Sequence, residues 1–378
     1  MRIGISLLDL QPNKSGGIET YCRDLISGLQ RVDKKNQYFI LLNARNRGTL
    51  EVTAKNFTVA HCDSRTFLHK SLNKLKIKDY TIEKIIRNNI ERLNLELIHF
   101  PLQTIQDYLL SIEVKKIVSI MDIQQEYFPE FFTKADLQNR KKMYLASCEA
   151  ADEIIAISDY TNKTIIEKFH ISKGKVTTVH LNYNEDLFNK AVQPATLPFE
   201  PFFYYPAATW PHKNHIKLID AFAKFHNENK DYHLVLSGIQ KQKSGEISKK
   251  IKKLKLDSHI HMLGYLEIKE LPRVFKQAFA LIYPSLFEGF GIPVIEAMAS
   301  GCPVIASNTT SVPEVAGNAA LYFDPASSVD IARAMKEIVR NDTRREQLII
   351  SGYEQANKFT KAKMVESTLQ VYRKVAKM

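Results

Sequence analysis

No apolar run in this chain approaches the roughly 20 residues that a helix needs to cross a bilayer, which excludes a transmembrane span of that kind. The opening residues, Met1-Arg2-Ile3-Gly4-Ile5-Ser6-Leu7-Leu8, lack the basic start, long apolar centre and small-residue cleavage site of a secretory leader. They read instead as a first strand, and the expected location is the cytoplasm. Cysteine is scarce: Cys22, Cys62, Cys148 and Cys302 show no Cys-x-x-Cys spacing and no neighbouring histidine pair, so neither a disulfide framework nor a cysteine zinc site is expected. No Gly-x-Gly-x-x-Gly follows any strand, which argues against a nicotinamide-dependent oxidoreductase. Internal repeats and low-complexity tracts are absent. Acidic residues are in short supply, 41 against 53 Lys and Arg, and the net charge of +12 implies attraction to something acidic. Phosphate-bearing substrates, anionic lipid and nucleic acid all fit that charge.

What is present is an alternation of short apolar runs and helical patterns. At 378 residues the chain exceeds what one core usually supports, so two α/β domains are expected. Strands are predicted at 2–8, 37–43, 56–61, 95–100, 116–121, 153–157 and 176–181, then at 202–207, 232–237, 259–263, 279–283, 303–306 and 320–323. Three prolines without periodicity mark 189–201 as an interdomain connection. The expected organisation is therefore a domain over 1–190, a linker over 191–201, a second domain over 202–358, and a C-terminal helix from 359 to 378 that packs back on the first. Two stretches are strongly basic: 65–92 holds eight Lys or Arg against three acids, and 241–255 holds seven Lys against one Glu. In the first, Ile82, Ile85, Ile86, Ile90 and Leu93 form a helical stripe, readable either as a core face or as a surface for an anionic membrane.

The most informative segment is Tyr-Pro-Ser-Leu-Phe-Glu-Gly-Phe-Gly-Ile-Pro-Val-Ile-Glu-Ala-Met-Ala-Ser-Gly, residues 283–301. A strand ends near Tyr283, a loop carries Gly289, Phe290 and Gly291, and Pro293 stands where a first helical turn accepts proline. Such a loop offers backbone N–H groups and a helix dipole to an anion, for which a diphosphate is well suited. Glu288 precedes the turn and Glu296 lies about one turn into the helix, so both carboxylates can face one crevice and hold sugar hydroxyls.

The Glu-x7-Glu pattern within Phe-Glu-Gly-Phe-Gly-Ile-Pro-Val-Ile-Glu-Ala resembles the signature of the family 4 retaining glycosyltransferases, in their mannosyltransferase-like bacterial cell-envelope branch. That resemblance implies the GT-B fold, two Rossmann-like parallel-sheet domains facing a central cleft. It also implies that Glu288 contacts the donor hexose, that Glu296 contacts the ribose, and that Gly289, Phe290, Gly291 and Ile292 meet hexose and phosphate. Tyr205-Pro-Ala-Ala-Thr-Trp-Pro-His-Lys-Asn-His215 resembles the family's phosphate loop, with Lys213 as its lysine and Asn214 beside it. Ala207 stands near the place where relatives often carry an arginine, so that charge is missing. Gly16-Gly17 resembles the N-domain loop that approaches the donor phosphate. Asp122, within Ile120-Met-Asp-Ile-Gln-Gln-Glu-Tyr-Phe-Pro-Glu-Phe-Phe132, is retained where many relatives also carry histidine, but Met121 and Gln125 occupy the histidine positions. Ser158 resembles a cleft contact, and Tyr265-Leu266 occupies the segment with which relatives read the nucleobase.

The resemblance thus implies transfer of a hexosyl group from GDP-mannose or a UDP-sugar to a glycan or lipid-linked hydroxyl, with retention. Glu288, Asp122 and Lys213 are the implied catalytic set. Neither a cofactor nor a metal is expected, and no Asp-x-Asp motif appears. Nucleic acid is not an expected partner, while peripheral contact with an anionic membrane through 65–92 is. Rival readings are a nucleotide-sugar epimerase on the same fold and a non-enzymatic basic binder, the latter leaving Glu288 and Glu296 without a purpose.

Overall fold

All thirteen expected strands form, and every strand pair is parallel. The computed structural model describes residues 1–12, 16–63 and 81–378; residues 65–80 of the first basic stretch lie outside these, as do Asn13, Lys14 and Ser15. Strands β1 (Arg2–Ser6), β2 (Gln37–Leu42), β3 (Phe57–His61), β4 (Leu97–Phe100), β5 (Lys115–Ile120), β6 (Glu153–Ala156) and β7 (Val176–Thr178) build one sheet in the order β3-β2-β1-β4-β5-β6-β7. Strands β8 (Phe202–Pro206), β9 (His233–Ser237), β10 (Ile260–Met262), β11 (Ala280–Tyr283), β12 (Val304–Ser307) and β13 (Ala320–Phe323) build another in the order β10-β9-β8-β11-β12-β13. The central strands are unbroken runs of buried residues such as Ala-Leu-Ile-Tyr and Val-Ile-Ala-Ser, because helices cover both faces of a parallel sheet.

The chain divides into two units, Met1–His180 with Lys361–Met378 and Leu181–Thr360, each described by itself. The division thus falls before the proline-rich run taken as a linker. Residues 191–201 belong to the second unit, for a reason composition cannot show: their peptide groups are used. The Ala195 amide donates to the Arg273 carbonyl at 3.0 Å, and the Gln277 side chain bonds both the amide and the carbonyl of Leu197.

In the first unit the isoleucine stripe resolves as core. Ile85, Ile86 and Ile90 of the helix Ile82–Glu91 are buried and Leu93 packs against the same cluster, leaving Ile82 as the exposed member. The stripe therefore has no apolar face left for a bilayer. The C-terminal helix Lys361–Ala376 belongs to this unit and buries Met364, Leu369, Tyr372 and Val375, the apolar side its spacing predicts. Polar bonds then fix its register: the Lys361 ammonium pairs with Asp24 at 2.7 Å and that of Lys374 with the fully buried Glu153 at 2.6 Å. Deeper still, His99 is held between the Tyr372 hydroxyl at 2.8 Å and the Ser119 hydroxyl at 2.7 Å, and Ser119 continues to the Tyr21 hydroxyl at 2.9 Å. Burial pushes the His99 imidazole down to about 3, so it is neutral and both nitrogens serve the network.

Tyr372→Phe removes one link of this buried chain and leaves a His99 nitrogen without its partner, for which a loss of about 1–3 kcal/mol is expected. Urea unfolding with an unchanged slope and a lower midpoint would show it; an unmoved midpoint would mean that the network adds nothing to stability.

Candidate active site

In an open parallel sheet the loops diverge where the strand order reverses, and the crevice beyond the carboxyl ends of those two strands takes ligands. In the second unit the reversal lies between β8 and β11. The loop after β8 carries Lys213 and the loop after β11 carries Glu288. Across the reversal the Lys213 Nζ meets Glu288 Oε1 at 2.5 Å, with both side chains mostly shielded from water. Two residues 75 apart in sequence, each singled out by its own motif, are thus in direct contact.

The surroundings hold this pair in place. The Tyr205 hydroxyl donates to the Lys213 carbonyl at 2.8 Å and shares a hydrogen bond with Ser285 at 3.1 Å. The Tyr283 ring lies 5.9 Å from the Lys213 ammonium. Burial raises the Glu288 carboxyl, but the Lys213 charge, His212 and hydrogen bonds from Lys213 and Ser285 outweigh it, so the group stays ionised and its pKa falls below the ordinary value. Burial keeps Tyr205 and Tyr283 protonated, with the Glu288 charge adding to the effect. His212 and His215 are each depressed to about 4, by burial first and the Lys213 charge second, and are neutral near pH 7. Lys213 is therefore the fixed positive charge of this loop.

Both loops require unusual backbone. Gly291 has φ of 110° and caps the helix Ile292–Ala299, its carbonyl accepting from the Val294 amide at 2.9 Å; Pro293 in that turn has no N–H to satisfy. The Ser311 hydroxyl, on the loop after β12, bridges the Glu288 and Phe290 carbonyls at 2.9 Å each, and the Glu288 amide donates to the Thr310 hydroxyl at 3.2 Å. Glu296 is buried one turn along the same helix. After β8, Ala207 packs its peptide against Gly238: a β-carbon there would stand 2.6 Å from the Ala207 carbonyl. Thr209 ties this loop to the next, accepting from the Lys241 amide at 2.5 Å, and Lys241 lies over the Trp210 ring at 5.5 Å.

The other expected residues take varied places. Asn214 adopts a left-handed conformation at the helix start, and its side-chain amide is spent on the Pro284 and Pro325 carbonyls at 3.0 and 2.8 Å. Its role here is to tie loops together. Tyr265 is 67% exposed on the loop after β10, beside Leu266, and that loop reaches the site's neighbourhood through the Gly238 amide bonded to the Gly264 carbonyl at 2.7 Å. In the first unit, Gly16 and Gly17 open the helix Gly16–Val32. Asp122 follows β5 and accepts from the Gln124 amide at 3.0 Å, while its own amide and that of Met121 face the Gln103 side-chain oxygen. Ser158 is fully buried as the cap of the helix Asp159–Phe169, accepting from the Thr161 amide at 3.0 Å. Thr310, Ser311 and Ser285 join the site without having been predicted; the signal was the polar run Ser307-Asn-Thr-Thr-Ser311 directly after an apolar strand.

Two Rossmann-like parallel sheets, the second with a carboxylate, a lysine and a helix start at its strand reversal, give the chain the fold of the GT-B glycosyltransferases. Residues 191–355, most of the second unit, match the family of glycosyl transferases group 1. It is 28% identical over 267 residues to O-antigen chain mannosyltransferase B of Escherichia coli, covering 68% of this chain and 70% of the relative. It is 29% identical over 223 residues to O-antigen chain mannosyltransferase RfbU of Salmonella typhimurium, covering 58% and 60%. Among solved structures, sucrose-phosphate synthase from Thermosynechococcus elongatus superposes with a TM-score of 0.78 over 99% of both chains at 18% identity. HepE of Anabaena, in complex with UDP and glucose, superposes with 0.75 over 99% of this chain and 100% of its own at 15% identity.

The electrostatics set a pH profile. His212 and His215 have folded values near 4 against 6.5 in the unfolded chain, so unfolding takes up protons and stability falls as pH drops from 6.5 to 4. Glu288 has a folded value below 4.5; its stabilisation is complete above 4.5 and is lost as pH falls through the folded value. His212→Gln should flatten the first segment and Glu288→Gln the second, read from urea midpoints across pH. A profile unchanged in both variants would contradict these assignments.

Proposed function

We propose that this glycosyltransferase moves a hexosyl group, mannose from GDP-mannose being the first candidate, to a glycan or lipid-linked hydroxyl with retention at the anomeric carbon, in cell-surface polysaccharide synthesis. The mannosyltransferase relatives support the sugar, and the Lys213–Glu288 pair supports the chemistry. In a loose glycosyl transfer, positive charge grows at the sugar while negative charge grows on the departing phosphate. A lysine and a carboxylate side by side suit those opposite charges. An incoming diphosphate offers Lys213 a more highly charged partner, and Glu288, released from the ammonium, turns to a hexose hydroxyl. In this reading the helix-start amides at Gly291 and Ile292 meet phosphate, and Glu296 the ribose. The roles that resemblance gives to Gly16, Gly17, Asp122, Ser158, Asn214, Tyr265 and Leu266 belong to the same proposal. So does a location at the cytoplasmic face of a membrane; since Ile85, Ile86 and Ile90 are taken up by the core, membrane contact through 65–92 would fall mainly to its basic side chains.

Two variants test the partner exchange. Lys213→Ala should weaken binding of GDP or UDP far more than of the free nucleoside, and an unchanged ratio in calorimetry would refute its phosphate role. Glu288→Gln should bind the nucleotide as well as the wild type or better, because Lys213 is freed, while transfer falls by about 10²–10³. Equal transfer would remove Glu288 from the mechanism. Thermal shift with GDP, UDP and ADP and their sugars identifies the donor, since ligand at 100 times its Kd adds roughly 2.7 kcal/mol.

A further inference from the structure

Every strand of the second sheet starts at the edge opposite the Lys213–Glu288 loops, and at that edge four histidines meet. His233 begins β9. His259 directly precedes β10 and lies beside it, since the Leu234 amide donates to the His259 carbonyl at 2.8 Å and Ile260 pairs with Leu234. Strand alternation then sets His259 and His261 on one face. The His233 ring centre lies 5.2 Å from that of His259 and 5.1 Å from that of His261, and His261 Nε2 and His233 Nδ1 share a hydrogen bond at 3.0 Å. From the end of the helix His215–His226, the His226 ring comes within 4.2 Å of His259, and its buried Nδ1 finds no hydrogen-bond partner among the described residues. Phe199 stacks on His261 at 3.8 Å and closes the row. A cavity of about 530 Å³ lined by His226 and His259, among others, opens the row to solvent.

We propose that His233, His259 and His261, with His226 behind them, form a site for one borderline divalent transition-metal ion, zinc in the first instance, that pins the edge strand β10 to β9. Packing alone would account for stacked rings, but not for a directly bonded imidazole pair adjoining a buried nitrogen without a partner. Zinc–nitrogen bonds of 2.0–2.1 Å at tetrahedral angles hold imidazole centres about 5 Å apart, the spacing His233 already has to both neighbours. The His233 ring stands at 18° to that of His259 and 39° to that of His261, so binding requires the side chains to turn until their lone pairs converge on one ion. The one N–H shared by His233 and His261 moves to the outer nitrogen of its ring, so both rings remain neutral and no net proton is released. Burial, with the neighbouring charges second, holds His226, His233 and His261 below the ordinary histidine range, which keeps them neutral ligands. A set of imidazoles without carboxylate or thiolate suits zinc, nickel or copper and offers nothing to magnesium or calcium. Lys224, Lys230 and Lys255 also line the cavity and oppose a cation, so an affinity in the micromolar range is expected.

The test uses untagged full-length protein stripped with chelator and titrated with Zn²⁺ by calorimetry, with Mg²⁺ as control. One equivalent of zinc should bind and raise the thermal midpoint, and Mg²⁺ should give no heat. The double variant His233→Asn, His261→Gln should lose at least about tenfold in zinc affinity while GDP or UDP binding, which reports an intact second unit, stays at the wild-type value; His259→Gln alone provides a milder second variant with the same expected direction. Absence of a stoichiometric site in the wild type, an equal response to Mg²⁺, or zinc affinity unchanged in these variants would overturn the proposal.

Discussion

A parallel sheet wound by right-handed crossovers can cover both faces with helices when the winding reverses, and the reversal separates two neighbouring loops. In the second unit those loops follow β8 and β11, and what each presents at the gap is one half of an ion pair. The rest of the site depends on that contact. Tyr205 holds the lysine from behind, Ser311 and Thr310 hold the glutamate loop, and Gly291 lets the chain turn into a helix whose amides face the same end of the sheet. Each of these groups is polar and buried or half-buried, and each is satisfied by another member of the set, as the desolvation cost of polar groups requires.

The electrostatic state of the site follows from burial. Desolvation would protonate Glu288 were the ammonium not beside it, and it does neutralise His212 and His215. On the two loops that meet at the strand reversal, His212 and His215 are thus neutral near pH 7 and Lys213 faces the ionised Glu288. Relatives often add an arginine near Ala207; here the peptide of Ala207 is packed against Gly238, and Lys241 on the adjoining loop is drawn to the Trp210 ring. On the proposed function, a diphosphate at this loop would therefore have Lys213 and backbone dipoles as its principal partners.

Much of this was legible in the sequence because it is local. Unbroken apolar runs bounded by glycine, proline and polar residues mark buried parallel strands, and the order of apolar run, glycine loop and helix marks the anion-binding end. What escaped is set by contacts distant in sequence. Residues 191–201 read as a connection because nothing in them reveals Gln277, which takes up their peptide groups. The structural bonds of Asn214 to the Pro284 and Pro325 carbonyls and of Ser158 as a helix cap are likewise invisible in their motifs. The isoleucine stripe was consistent with a core or a membrane, and the buried cluster that Ile86 and Ile90 share with Leu41, Ile98 and Val118 decides for the core.

A lysine that waits in a pair is a better phosphate ligand than a free one in one specific respect. Its side chain carries about 2 kcal/mol of rotamer entropy, and a lone lysine would give that up on binding. Here Glu288, the Tyr283 ring and the Tyr205 bond to the lysine's own carbonyl have already fixed it. In the proposed exchange the donor displaces the carboxylate, and that group is released beside the sugar, where a charged hydrogen-bond acceptor is wanted. The cost of separating the pair is thereby recovered at the reacting end of the molecule, and a ligand lacking the sugar recovers less of it. On the proposed exchange, selection of the complete nucleotide sugar arises from the same contact that balances the Lys213 charge.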